Sequence, residues 1–340
     1  MSIEHARPYV PPVLHLISAN IAKWGNPLGL RKQDCTSWAD DLQIPTKGSI
    51  VLHTGCEYQL TPYVQLLRDV LKRVKFQDTL LSTTSIIQRI TKIIGLDLTK
   101  IFAQVSKKER ETFDHLLRMA ALTLSKLGVD FAYLKEELYA GALLYEHGLF
   151  EEFERQAYRV AEQFRKAGAT RIIALTPHAA ETLQQVYPRF LSNFDFEVTT
   201  YVSVVADALA RSERRLSLPQ LLSATLHDPC HLARSLNLTE EPRKVLRAIK
   251  NLELKEVASN RELTVCCGAP GELIYPELSE LLASRRAKEL ADTGAEAIIT
   301  LCPFCYASLS QGARLSGTKV RVMDFIEVLY QALGGSDVRG

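Results

Sequence analysis

Five of the seven cysteines crowd into the last third of the chain, where they follow the pattern C-x35-C-C-G-x33-C-x-x-C. A tetrahedral zinc site uses only four ligands, and two adjacent thiols do not fit it easily. An iron–sulfur cluster held by thiolates accounts better for the number and softness of these ligands, with a zinc site plus one spare thiol as the alternative. The five residues are Cys230, Cys266, Cys267, Cys302 and Cys305.

Each group of cysteines follows a short apolar run that is predicted to be a strand. These runs cover residues 223–227, 263–265 and 297–301. Ligands of open parallel sheets bind beyond the carboxyl ends of the strands, so the three loops are expected to converge there. Pro303 suits the first position of a helix, whose free amides would then face the thiolates and lower their pKa. Gly268 is expected to let the backbone pass close to the metal.

Three further residues near these loops are candidates for the chemistry. His227 and His231 flank Cys230. Each is interpreted either as a hydrogen-bond donor to a cluster sulfur or a proton source, or as a histidine satisfied by backbone groups. Cys56 is either a reactive thiol that faces the pocket or a relic packed in a loop. Cys35 lies in a polar run and is expected to be a free thiol without a role.

The composition of the 340 residues is that of an ordinary globular protein, with 46% hydrophobic and 24% charged residues. The net charge of +2 gives no reason to expect nucleic-acid binding. The segment Met1–Pro8 does not resemble a signal peptide, and no apolar run approaches the length of a transmembrane helix. An odd number of crowded cysteines does not resemble a secreted disulfide framework, so a reducing cytoplasm is expected.

Apolar runs alternate with amphipathic segments along the chain, which predicts an α/β fold with mainly parallel sheets. The other predicted strands cover residues 49–53, 129–134, 171–175 and 320–322. The predicted helices cover residues 13–24, 62–74, 151–166, 179–186, 242–249, 276–290 and 325–333, and residues 78–128 are expected to be helical throughout.

The two halves of the chain repeat each other, which predicts two pseudo-symmetric domains, residues 49–210 and 211–340, after an N-terminal extension of residues 1–48. The first domain keeps only one of its five thiols and carries a helical insertion at about residues 78–128, so we do not expect it to hold a cluster. The matching motifs are His53–Cys56 with His227–Cys230, Tyr139–Gly141 with Cys266–Gly268, and Thr176–Ala179 with Cys302–Cys305.

The cysteine pattern resembles the cysteine-rich CCG domain found in the B-type subunit of heterodisulfide reductase and in its relatives. The resemblance covers roughly residues 49–333, apart from the helical insertion. It implies that the five cysteines bind a non-cubane [4Fe–4S] cluster, with Gly268 beside them. The B-type subunit of that family has two intact motifs, whereas this chain has one. The resemblance therefore predicts a protein with a single cluster.

The resemblance further implies an oxidoreductase that works as the redox subunit of a heterodisulfide-reductase-like complex, acting on a disulfide, a lipoyl group or a persulfide. Its expected partners are a flavin-bearing A-type subunit, a ferredoxin-like C-type subunit and a lipoate-binding carrier protein. The sequence has no C-x-x-C-x-x-C run for cubane clusters, so electrons would pass to or from another subunit. Two alternatives stay open: an electron-relay subunit of a hydroxyacid oxidase complex, and a non-catalytic scaffold stabilised by zinc.

Overall fold

The computed structural model describes residues 12–73, 105, 107–273 and 275–335. Within these residues, eight strands form two four-stranded sheets in which all paired neighbours run parallel. The strands are β1 (Ile50–His53), β2 (Ala132–Tyr133), β3 (Arg171–Ala174), β4 (Glu197–Thr200), β5 (Leu216–His227), β6 (Ile249–Lys255), β7 (Ala297–Thr300) and β8 (Arg321–Asp324). The order is β2-β1-β3-β4 in one sheet and β6-β5-β7-β8 in the other. This shared topology confirms the α/β prediction and the two pseudo-symmetric copies, whereas the predicted domain boundaries stay predictions.

Helices connect and cover the strands in both copies. The predicted helices at residues 13–24, 151–166, 276–290 and 325–333 are confirmed to within two residues at either end. The α-helices of the described residues are Pro12–Trp24, Lys32–Thr36, Glu57–Arg73, Lys107–Lys126, Ala142–Glu146, Phe150–Ala167, Pro177–Glu181, Tyr187–Phe190, Tyr201–Ala210, Glu240–Arg247, Pro276–Ala291, Pro303–Ser316 and Phe325–Ala332.

The helix Phe150–Ala167 shows why these segments are helical. Phe153, Ala157, Val160 and Phe164 recur at helical spacing and are all buried. Acidic side chains occupy the first turn and basic ones the last, which suits the helix dipole. The helix ends at Gly168, whose φ of +76° is in the left-handed region that favours glycine. Each fully buried phenylalanine contributes roughly 1.5–3 kcal/mol to stability.

Four parts of the secondary-structure prediction are wrong. Residues 263–265 do not form a strand, because the chain makes a 3₁₀ turn at Arg261–Leu263. The edge strand beside β5 is β6, which follows the Glu240–Arg247 helix. It was not predicted as a strand, and its first residue, Ile249, was assigned to the end of a helix. β4 was not predicted as a strand. The helix predicted to begin at Pro62 begins at Glu57, and the proline lies inside it.

The predicted helical insertion at residues 78–128 can be compared with the structure only in part. Lys107–Lys126 is a helix with a buried apolar face that includes Leu117, Ala120 and Leu124. Residues 74–104 and 106 lie outside the described residues. None of the helices in the described ranges combines the length and apolar character needed to cross a membrane.

The two copies pack directly against each other. Leu52 of the first sheet and Leu226 of the second belong to one continuous core of buried apolar side chains. Buried polar contacts cross the same interface: the Tyr58 hydroxyl donates to Asp324 at 3.0 Å, and Arg68 lies 3.3 Å from Glu272. The loops at the carboxyl ends of the strands therefore meet between the copies.

Candidate metal centre

The first and the last of the three cysteine loops leave the same edge of the second sheet, as predicted. Cys230 follows β5 and precedes a π-helical turn, His231–Ser235. Cys302 follows β7 and is the residue before the helix Pro303–Ser316. Since His227 at the end of β5 pairs with Thr300 at the end of β7, both loops begin side by side.

The helix that begins at Pro303 presents its amino end to the thiols. No side chain caps this end, because Cys302 in the capping position makes no such hydrogen bond. The first amides of a helix have no partner within the helix and carry its positive dipole end. The helix dipole at this end favours negative charge, but hydrogen bonds with neighbouring thiols raise the pKa of Cys305, so the predicted lowering of the thiol pKa is not found there.

Hydrogen bonds to backbone carbonyls hold the Cys266–Cys267 loop in place, although no strand leads into it. Thr264 Oγ1 donates to the carbonyl of Asp228 at 2.9 Å, and Arg234 donates to the carbonyl of Thr264 at 2.7 Å. Ser308 Oγ donates to the carbonyl of Cys267 at 2.6 Å. The loop is thereby tied both to the Cys230 loop and to the helix that follows Cys302.

Gly268 is required for a packing reason. Its φ of +88° is left-handed, and a Cβ at this position would lie 2.7 Å from the carbonyl oxygen of Ser279. The backbone of Gly268 therefore passes close to the helix Pro276–Ala291. The sequence instead led us to expect a close approach of this backbone to the metal. Gly141, its counterpart in the first copy, has nearly the same φ of +91°.

The five predicted thiols come together at one wall of a cavity. Cys267 Sγ and Cys305 Sγ are 3.2 Å apart, and the amide of Gly268 donates to Cys266 Sγ at 3.4 Å. Hydrogen bonds from Cys230 and then Cys267 hold the pKa of the Cys266 thiol far below its usual value. The pKa values of Cys230, Cys267 and Cys305 are raised by hydrogen bonding to neighbouring thiols, with burial adding to the effect. Without a metal, ionisation of one thiol makes ionisation of its neighbours less favourable. A bound cation would stabilise all of them as thiolates.

His227 is positioned as a donor to sulfur. Burial and the charge of Arg286 lower the pKa of His227 to about 3, so its ring is neutral. Nδ1 accepts from Arg286 Nε at 3.3 Å, which places the ring proton on Nε2. Nε2 is buried without a hydrogen-bond partner among the described residues. A ring nitrogen of His227 lies within 4.8 Å of the sulfurs of Cys267 and Cys305. This orphaned donor fits an iron–sulfur cluster, whose sulfurs accept hydrogen bonds.

A buried ion pair, not foreseen from the sequence, anchors the loops. Arg243 donates two hydrogen bonds to the carboxylate of Asp228, at 2.7 and 2.9 Å, and two more to Glu256. The amide of Arg261 donates to the same Asp228 carboxylate at 2.8 Å. Asp228 therefore joins the Cys230 loop to the segment that leads into Cys266.

A second polar group lies on the same cavity and bridges the two copies. His178 Nε2 is 2.9 Å from Glu146 Oε1, and His231 Nε2 is 3.8 Å from the same oxygen. Glu181 hydrogen-bonds to Nδ1 of His231. Burial alone would lower the pKa of His178, but Glu146 and Glu57 outweigh it and raise the pKa to about 9. The sequence reasoning singled out His231 but missed the three carboxylates.

The cavity has a volume of about 140 Å³ and lies between the copies. Apolar side chains form most of its remaining lining, and they include Leu28, Leu60, Tyr139, Leu143, Leu273 and Phe304. The space is large enough for a small ligand beside the thiols.

The first copy offers no such thiol site. Cys35 and Cys56 form a disulfide, with Cα atoms 5.2 Å apart, and both are buried. The prediction that Cys35 is a free thiol is therefore wrong. Cys56 has no free thiol and does not line the cavity, which gives no support to a catalytic role for it; that role stays a prediction. Tyr139, which replaces the first cysteine of the pair, is buried, and its hydroxyl accepts from the amide of Leu143.

Comparison with known proteins identifies the segment that carries the thiols. The family model for the cysteine-rich domain CCG matches residues 224–310, which include all five cysteines. The probable iron–sulfur-binding oxidoreductase FadF of Bacillus subtilis is 28% identical over 67% of this chain and 33% of its own length. The D-type subunit of the dihydromethanophenazine:CoB–CoM heterodisulfide reductase of Methanosarcina barkeri is 31% identical over 62% of this chain and 53% of its own length.

A third relative is the EtfAB:quinone oxidoreductase of Syntrophomonas wolfei, which is 29% identical over 62% of this chain and 31% of its own length. The chain thus spans about a third to a half of these relatives.

Proposed function

Because the chain belongs to the cysteine-rich CCG family related to heterodisulfide reductases, we propose that it is an iron–sulfur subunit of an oxidoreductase complex. The observation that carries this proposal is the meeting of five thiols at one cavity wall, beside the unpartnered Nε2 of His227. A structural zinc site would use four ligands and would leave a thiol and this donor without a purpose.

Five cysteines would hold a non-cubane [4Fe–4S] cluster in this site: Cys230, Cys266, Cys267, Cys302 and Cys305. When bound, such a cluster supplies one-electron redox chemistry next to soft sulfur ligands. His227 Nε2 would donate a hydrogen bond to a sulfur there, and the amino end of the Pro303–Ser316 helix would offset negative charge. Both effects make reduction easier by stabilising added charge.

We propose a small disulfide, lipoyl group or persulfide as the substrate class. The cavity is apolar along most of its lining, and Leu143, Leu273 and Phe304 suit the carbon chain of such a molecule. Reduction of a disulfide to two thiols consumes two electrons and two protons. Since a one-cluster protein passes electrons singly, a partner must supply or accept them in turn.

The partners stay proposals drawn from the resemblance. They are a flavin-bearing A-type subunit, a ferredoxin-like C-type subunit and, for lipoyl chemistry, a lipoate-binding carrier protein. Partners are needed because the first copy cannot hold a second cluster to exchange electrons with. Its last remaining cysteine, Cys56, forms a disulfide with Cys35. A second cluster therefore has no cysteine ligands there. The cytoplasmic location stays a prediction, as the partners do.

Anaerobic reconstitution tests this function. The full chain should bind about four irons and show cluster absorbance and an EPR signal. Cys267→Ala should abolish all three, while the double variant Cys35→Ala/Cys56→Ala should keep them. Colourless protein that contains only zinc would overturn the proposal. A cluster whose EPR signal ignores added disulfides and thiols would instead indicate an electron relay without a sulfur substrate.

A further inference from the structure

We propose that Glu146, His178 and His231 bind a divalent transition-metal ion, such as Zn²⁺ or Fe²⁺, between the two copies and separate from the five-cysteine site. One ligand atom from each of the three residues lies within 4.8 Å of the other two. Two imidazoles and one carboxylate are a common ligand set for these ions.

The distances suit a metal with little rearrangement. Glu146 Oε1 is 2.9 Å from His178 Nε2 and 3.8 Å from His231 Nε2. Ligands at about 2.0–2.2 Å from a tetrahedral ion lie roughly 3.3–3.6 Å from one another. The two separations bracket that range, and the two histidine nitrogens lie within 4.8 Å of each other, so modest side-chain shifts would bring the three ligands to a metal.

A carboxylate stands behind each histidine. Glu181 hydrogen-bonds to Nδ1 of His231, and Glu57 Oε1 is 3.7 Å from Nδ1 of His178. The Glu181 carboxylate keeps the proton on Nδ1 of His231 and turns the Nε2 lone pair of that ring toward the metal. Glu57 is too far from Nδ1 of His178 for a hydrogen bond and acts there only through its charge. Both Nε2 atoms point to Glu146, where the ion would lie.

The burial of Glu57 gives a second, independent observation. Its side chain is fully buried, and neither carboxylate oxygen has a hydrogen bond of acceptable geometry among the described residues. The Thr176 hydroxyl is close enough to influence its pKa but is not aligned to donate. His178 Nδ1 lies 3.7 Å from this carboxylate, and a divalent ion bound to His178 would add positive charge close to Glu57, Glu146 and Glu181.

The proposed ion would have free coordination positions. Glu146 and His231 keep 35% and 26% of their side-chain surface exposed, and all three ligands line the cavity. The thiols line the same cavity, so an ion here is a Lewis acid beside the sulfur site. Since no cysteine belongs to its ligand set, the site stands or falls independently of the cluster.

Zinc binding to the cluster-loaded full chain tests this proposal. After brief chelation that leaves the iron content unchanged, one Zn²⁺ per chain should bind. Its K-edge X-ray absorption should show only nitrogen and oxygen neighbours at about 2.0–2.2 Å, without the sulfur neighbours at about 2.3 Å that thiolates give. Iron in the cluster does not contribute at the zinc edge.

Variants complete the experiment. Glu146→Gln and His178→Ala should lose the zinc yet retain iron and circular dichroism, and Glu181→Gln should bind zinc about 10–100 times more weakly. His15→Ala, at an exposed histidine outside the cluster, should bind zinc normally. The proposal would be overturned if the unsubstituted protein bound no zinc, if its zinc had sulfur neighbours, or if Glu146→Gln bound zinc as well as the unsubstituted protein.

Discussion

Replacing Arg243 by methionine should destabilise the second domain far more than replacing Arg247, which lies one turn further along the same helix. Both arginines pair with Glu256. Arg243 is fully buried and also forms two hydrogen bonds to the buried carboxylate of Asp228. Arg247 keeps 54% of its side chain exposed.

The expected magnitudes follow from this difference in burial. Removing one partner of a buried ion pair leaves an uncompensated charge on Asp228 and costs about 3–5 kcal/mol. Loss of an exposed pair costs at most about 1 kcal/mol, so Arg247→Met is the matched control. Asp228→Asn in the Arg243→Met background should recover part of the loss, because an amide is cheaper to bury than an unpaired carboxylate.

Urea unfolding of the metal-free, reduced protein at neutral pH measures these free energies. A second readout is the iron bound after reconstitution, which should fall in Arg243→Met because Asp228 holds the Cys230 loop against the segment before Cys266. If Arg243→Met and Arg247→Met had equal unfolding midpoints, the reasoning from burial would be refuted.

Three further changes have distinct expected outcomes. Gly268→Ala should abolish iron binding, because the added Cβ would lie 2.7 Å from a helix carbonyl oxygen. In Gly141→Ala the nearest contact of the added Cβ is a side chain at 3.3 Å, so this variant should lose only about 1–2 kcal/mol of unfolding free energy in urea. Burial raises the pKa of Asp324 to about 7 from 3.8, so its stabilising contribution is complete below pH 3.8 and is lost as the pH rises through about 7. Asp324→Asn should remove that dependence, about 1.4 kcal/mol per pH unit, from thermal and urea unfolding measured across this window; equal slopes in both proteins would contradict the assignment. The double variant Cys35→Ala/Cys56→Ala should lose about 3 kcal/mol relative to the oxidised protein, and an unchanged unfolding midpoint would argue against the disulfide.

The strand that leads to Cys302 and its counterpart in the first copy were predictable because buried parallel strands are short and continuously apolar. Residues 297–301 and 171–175 show that pattern, and β7 and β3 lie there. β6 was missed because Ile249–Lys255 pairs with β5 alone and carries alternating polar residues. It follows a helix with only Ala248 between, so no loop signal marks where it begins.

The ligand thiols could be identified by type and spacing, but their surroundings could not. Arg243 and Arg286 are fully buried, against the general expectation that arginines lie at the surface. Arg243 pairs with Asp228, and Arg286 contacts His227 and Ser259; these partners are distant in sequence and come together only in the folded chain.

Contacts between the copies were the least predictable feature. Glu146 and His178 lie in separate segments of the first copy, and His231 of the second copy reaches them only in the folded chain. The same holds for the Cys35–Cys56 disulfide, which joins the N-terminal extension to the loop after β1. Nothing in the local sequence indicates that these groups approach each other.

The helix start after β3 bears on how such a duplicated protein evolves. Thr176, which stands where the second copy has Cys302, accepts a hydrogen bond from the amide of Ala179 and so caps its helix. Returning this residue to cysteine would cost roughly 1 kcal/mol of capping before any metal could compensate. The remaining thiols would still be missing, and Cys56 is already bonded to Cys35. A return to cysteine at this position therefore lowers stability before a second metal centre could form, which makes the divergence of the first copy hard to reverse.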